Sequence, residues 1–192
     1  MRKPKLRDLS TISGPPGGFS LLELLAALTV GSVLMSLTVP AMTGMLKNQQ
    51  AASTVNALFA SLNLARSEAI KRNARAVLCK TADGVSCSTS GGWEQGWMLF
   101  HDANNNAVFD PGEQLVLQQG AVASGIRLTG NTPVANYVSY SPSGTAKLIS
   151  GAFQAGTFTL CPAPSSGIDV RQIVLSGTGR ARTQKGTLSD CL

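Results

Sequence analysis

Four basic side chains near the carboxy-terminal end are the clearest candidates for chemistry in this sequence. Between Val170 and Ser189 there is no acid, while Arg171, Arg180, Arg182 and Lys185 each carry a positive charge. In "SGTGRARTQKG" (176–186), two arginines flank a single alanine. In an extended segment Arg180 and Arg182 would point to one face. The surrounding glycines remove side chains, so backbone N–H groups could also approach a phosphate. The chemistry would be anion recognition, with bidentate guanidinium–phosphate bonds and a point charge from Lys185. No aromatic residue lies in the stretch, so base stacking is not available within it. On composition alone, a solvated basic loop is the plainer reading of these residues, and arginines lying against a sheet are the structural alternative.

Other chemistries find less material. His101 is the only histidine, and no nucleophile–base set or phosphate loop stands out, so neither an enzyme nor a cofactor is expected. Cys79, Cys87, Cys161 and Cys191 contain no C-x-x-C pair, which argues against zinc and for two disulfides in an oxidising compartment. Sequence proximity favours Cys79–Cys87 and Cys161–Cys191. In "DANNNAVFDPGE", Asp102, Asn104, Asn106, Asp110 and Glu113 fall at the oxygen-ligand positions of an EF-hand loop. Ala107 stands where that loop needs glycine, strands flank it, and Asx-rich turns make such patterns by themselves, so no metal is expected. Trp93 and Trp97, either side of a glycine-containing turn, read as core and turn packing rather than as a binding platform.

One acid is out of place. Phe19 to Leu46 is nearly all apolar and long enough to cross a bilayer, yet Glu23 lies inside it. Arg2, Lys3, Lys5 and Arg7 against Asp8 give the first 18 residues a net +3 of the chain's +6, which would keep them cytoplasmic and send the rest across the membrane. Small residues Gly17 and Gly18 precede the apolar run, whereas an ordinary secretory signal has them after it. A cut between Gly18 and Phe19 would keep the helix and create a new terminal amine near Glu23. An intramembrane carboxylate needs a partner, and the amine of a neighbouring copy would supply one. A glutamate that snorkels to the headgroups is the plainer alternative.

These residues need a long helix and a sheet to position them. Val55, Leu58, Phe59, Leu62, Ala65 and Ala69 recur at helical spacing, so one helix is expected from Phe19 to near Asn73, with a break around Pro40–Gly44. Its length would be roughly 80 Å. Beyond it, "RAVLCK", "GWMLF", "QLVLQQ", "GIRLT", "YVSYS", "GTFTLC" and "RQIVLS" read as strands. One long helix followed by strands implies an α+β fold with an antiparallel sheet. Mean hydropathy of +0.12 with only 14% charged residues suits a globular domain carrying one membrane segment. No internal repeat or linker domain is evident.

"GGFSLLELLAALTVGSVLMSLTVPAM" resembles the amino terminus of type IV prepilins and type II secretion pseudopilins: a basic leader ending in glycine, then phenylalanine, a glutamate four residues on, and a helix proline, here Pro40. "LARSEAIKRNARAVLC", "GWEQGWMLFHDANNNAVFDPGE", "GTFTLC" and "RQIVLSGTGRAR" resemble the GspH/FimT branch of minor pilins and pseudopilins. The resemblance implies a pilin-like fold, a long amino-terminal α-helix packed on an antiparallel β-sheet domain. It implies a leader at 1–18, a transmembrane and filament-core half-helix at 19–45, and a periplasmic domain at 46–192. Prepilin peptidase would cleave after Gly18 and N-methylate Phe19, and Glu23 would serve assembly. The partners would be other minor and major pilins, with the inner membrane holding the helix before assembly into a pilus. Gly179-Arg180-Ala181-Arg182 matches the GRxR motif of FimT-type minor pilins that bind DNA in natural transformation. That implies DNA contacts from Arg180 and Arg182, with Lys185 and Arg171 in support. A GspH-like pseudopilin that helps initiate a secretion pseudopilus is the alternative.

Overall fold

The computed structural model describes residues 18–122, 124–162 and 169–191, apart from the side chains of 36–43 and 162. Of the expected leader, residues 1–17 lie outside this description. The chain divides into two units, Met1–Ala41 and Met42–Leu192.

Helix α1 spans Leu21–Arg72. Ser20 precedes it as the cap, its Oγ accepting the Glu23 N–H at 3.2 Å. An acid in the first turn and Lys71 and Arg72 in the last both complement the helix dipole. The helix is continuous, so the break expected around Pro40–Gly44 does not occur as an interruption. A single proline removes one backbone donor and is absorbed within a helix when its neighbours keep their bonds. Among the described residues no helix is long and apolar enough to cross a membrane. The expected span, 19–45, runs in part through 36–43, whose side chains lie outside the description.

In the second unit the helix meets two antiparallel four-stranded sheets. The strands are β1 (Ala76–Lys80), β2 (Trp97–His101), β3 (Leu115–Gln119), β4 (Ile126–Gly130), β5 (Tyr137–Tyr140), β6 (Gly156–Pro162), β7 (Arg171–Leu175) and β8 (Ala181–Lys185). One sheet has the order β3-β2-β1-β5 and the other β4-β6-β7-β8. The seven expected strands are all present. The eighth, β8, corrects the expectation of a loop over 176–186. "ARTQK" has no apolar alternation to announce a strand, and its order comes from backbone pairing with β7.

Ala51, Val55, Leu58, Leu62, Ala65 and Ala69 form the buried stripe of α1. They share one core with Leu78, Leu99 and Val138 of the first sheet and Leu128, Phe158, Leu160 and Ile173 of the second. Trp93 and Trp97 are buried there, as packing residues. The Trp93 indole donates to the Val134 carbonyl at 3.1 Å and that of Trp97 to Ser61 Oγ at 2.9 Å, which satisfies both polar edges. The other face of the first sheet is covered too: Val77, Cys79, Met98 and Phe100 pack with Ala107 and Phe109 of the following loop. Burial on both faces explains why β1 reads as an unbroken apolar run up to Lys80. The Lys80 ammonium donates to the Gly91 carbonyl at 2.7 Å, and burial lowers its pKa.

Candidate nucleic-acid interface

The β7–β8 hairpin carries the basic residues. Its turn is closed by the Ser176 N–H on the Arg180 carbonyl at 3.0 Å and the Gly179 N–H on the Ser176 carbonyl at 2.8 Å. Ser176 Oγ bonds Thr178 Oγ1 and the Arg180 backbone, so one small side chain knots the turn. Gly179 has φ +81°, and a Cβ there would collide with the Gly144 carbonyl oxygen. The motif glycine is therefore required twice, by conformation and by close approach.

Arg180 and Arg182 are exposed, with Ala181 packed against the core between them. Neither guanidinium group takes part in an ion pair or hydrogen bond among the described residues, and both side chains are exposed. Lys185 and Arg171 are placed differently. They sit opposite each other across the β7–β8 ladder. The bonds at Ser176–Arg180 and Val170–Gly186 fix the alternation and make Arg171–Lys185 a non-hydrogen-bonded pair, where side chains approach most closely. They share the face of Ala181, while Arg182 and Gln184 take the other face. The expected four-residue set is thus two pairs and not one patch. Like charges directly opposite repel, and Arg171 Nε is buried without a partner.

The acids stand elsewhere. No Asp or Glu occurs between Glu113 and Asp169. Asp190 accepts the Thr187 N–H and hydroxyl, which hold its carboxyl below the usual range. A disulfide joins Cys161 to Cys191 and pins the chain end to β6, and Arg127 also donates to the Cys191 carbonyl at 2.6 Å. A second disulfide joins Cys79 to Cys87.

The Asx-rich loop satisfies itself. Both Asp102 oxygens accept backbone N–H groups, of Asn106 and Ala107, and Asp110 accepts the amides of Asn104 and Asn106. Glu113 accepts the N–H groups of Ala103 and Asp110. Ala107 adopts φ 58° without glycine, so it does not forbid the turn. The oxygens are nonetheless spent on the loop's own donors, and among the described residues no cluster of three or more metal-ligating side chains occurs. His101 bonds Glu68 through Nε2 at 3.2 Å, tying β2 to α1. Burial works against the Glu68 carboxylate, but bonds from Arg72 and His101 and the charge of Lys71 outweigh it and lower its pKa.

Two sequence matches and a fold likeness place this architecture. The family model described as type II transport protein GspH matches residues 54–179, ending one residue before Arg180. The pilin-like protein PilA1 of Thermus thermophilus is 32% identical over 180 residues, covering 87% of this chain and 97% of that protein. The minor pseudopilin EpsH of the Vibrio cholerae type II secretion system shares the fold at a TM-score of 0.50, with 10% identity over 71% of this chain and 97% of that one. The Pseudomonas aeruginosa type IV minor pilin FimU aligns at a TM-score of 0.49, with 21% identity over 77% of this chain and 94% of that one. The chain belongs to the GspH family, and its fold is that of a type IV pilin-like protein.

Proposed function

We propose that this chain is a minor type IV pilin that binds DNA through Arg180 and Arg182 for uptake in natural transformation. One observation carries the reading: two exposed arginines, two residues apart and with no side-chain partner among the described residues, stand on a hairpin whose own geometry demands the motif glycine. Arginines retained for packing would lie against the sheet or pair with carboxylates, and these do neither. Contacts to phosphate oxygens position a duplex without reading its sequence, so binding is non-specific and salt-sensitive.

The same proposal covers processing and anchoring. Prepilin peptidase cleaves between Gly18 and Phe19 and methylates Phe19, and Glu23 neutralises the new amine of an adjacent subunit. In support, residues 18–20 precede the helix and Phe19 is 85% exposed, open to a peptidase. Leu21, Leu22, Leu24, Leu25 and Leu28 are exposed on the first unit, an apolar surface that the inner membrane, or other pilins in the filament, would cover.

A second reading, a GspH-like pseudopilin that initiates a secretion pseudopilus, is favoured by the family match, which stops short of both arginines. Replacing the chromosomal gene by one encoding Arg180→Gln/Arg182→Gln separates the two. The DNA-binding reading expects transformation to be lost while filaments and secretion persist. Unchanged transformation would transfer the assignment to the secretion pseudopilus.

A further inference from the structure

The basic turn has an aromatic neighbour from a distant part of the sequence. Phe153 is 69% exposed, and its side chain flanks Gly177 so closely that a Cβ at Gly177 would sit 3.2 Å from Phe153 Cβ. The Lys147 ammonium stands 5.8 Å from the centre of the ring. Phe153 therefore lies beside the turn that presents Arg180, three residues beyond Gly177, with a third cation over one face of the ring and the other face left for a ligand.

The backbone that carries the ring is fixed although the ring is exposed. Lys147 and Phe153 form an isolated antiparallel bridge, closed by the Leu148 N–H on the Ala152 carbonyl at 2.9 Å. The next residue, Gln154, is fully buried and accepts the Ser139 N–H while donating to the Pro133 and Tyr137 carbonyls. Its own N–H bonds the Ala146 carbonyl at 2.9 Å. Every hydrogen-bonding group of the Gln154 side chain is thus spent on fixing the backbone beneath Phe153. A large apolar side chain so anchored, yet uncovered, is a preorganised contact surface.

We infer that Phe153 is a stacking platform for an unpaired base, so that the site prefers single-stranded DNA. This rests on the DNA-binding reading above and supplies the aromatic face that 176–186 lacks. Single strands are recognised by an aromatic surface for the bases beside cations for the backbone, and Lys147, Arg180 and Arg182 provide the cations. The segment that carries Phe153 and Lys147 adds no opposing charge of its own, since no Asp or Glu occurs between Glu113 and Asp169. In a duplex the base faces are already stacked, and the ring offers them nothing.

The test compares a 20-nucleotide oligothymidine with a duplex of equal length, each titrated with the purified full-length chain. The wild-type protein should bind the single strand more tightly. Phe153→Ala and Phe153→Leu should each weaken single-strand binding about tenfold or more, leave duplex binding within twofold, and leave the melting temperature unchanged. Phe153→Trp should bind the single strand at least as well as wild type. Arg180→Gln/Arg182→Gln should weaken both probes together. If the Phe153 variants leave the single-strand to duplex ratio unchanged while the arginine variant still weakens both, the platform is refuted and the DNA reading survives. If the Phe153 variants disturb filament assembly and not DNA binding, the ring is a subunit contact and the platform is again refuted. If the arginine variant binds both probes as wild type does, the underlying reading fails first.

Discussion

Gly179 packs against the carbonyl oxygen of Gly144 with no space for a side chain between them. That contact docks the β7–β8 turn on the turn after β5, and Arg66 Nε donates to the same Gly144 carbonyl at 3.0 Å. Helix α1, one turn from each sheet and the two exposed arginines are thereby joined through a single carbonyl. Gly179→Ala adds both a collision and a backbone conformation that alanine resists. It should cost about 2 kcal/mol or more, lowering the melting temperature by roughly 4–8 °C, and should weaken DNA binding although no charge is lost. Calorimetry and DNA titration of the variant check both effects.

The disulfide between Cys161 and Cys191 closes a loop of sequence separation 30 that encloses β7 and β8. By chain-entropy reasoning, Cys161→Ser/Cys191→Ser should lose about 3–4 kcal/mol. Hydrogen exchange should quicken first at 187–191. The β7–β8 ladder should resist longer, because its register is set by backbone bonds and not by the bridge.

Asp83 gives a pH signature inside the other disulfide loop. Its carboxylate accepts the Val85 and Ser86 N–H groups and the Ser86 and Thr81 hydroxyls, which hold its pKa well below the ordinary aspartate range. A depressed folded-state pKa means that the stabilisation is complete above the unfolded value and is lost as pH falls through the folded one. Loop 81–86 should therefore keep its amide protection down to pH 4 and lose it only in stronger acid. Asp83→Asn should flatten that acid limb, which amide exchange as a function of pH will show.

Most of the fold was legible because the pattern and the packing agree. The helical stripe from Val55 to Ala69 and the seven apolar strands announce themselves by period. What escaped notice were elements ordered by backbone or by distant contacts. Strand β8 has no apolar alternation, being an edge strand in which Ala181 is the apolar residue packed against the core. The split of the basic set follows from that strand, since period-two alternation sends Arg182 and Lys185 to opposite faces. Phe153 escaped because nothing in "SGAFQAG" places it beside Gly177, more than twenty residues away. Only the buried amide of Gln154 hinted at an anchored loop, and a lone glutamine carries no such message in sequence.

Processing is a separate expectation. Mature protein recovered from assembled filaments should begin at Phe19, with one added methyl group by intact mass. Glu23→Ala should be cleaved normally yet assemble poorly, since the neighbouring amine would lack its counter-charge. A mature chain beginning elsewhere would contradict the prepilin assignment.

The central claim is that Arg180 and Arg182 hold phosphates. The most direct measurement is the salt dependence of duplex DNA binding by the full-length chain and by Arg180→Gln/Arg182→Gln. Contacts from Arg180, Arg182 and Lys147, about three phosphates, predict a log–log slope of about −3 for the wild type, and losing two of them should reduce its magnitude by about 2. A slope and affinity unchanged by the double substitution would contradict the account.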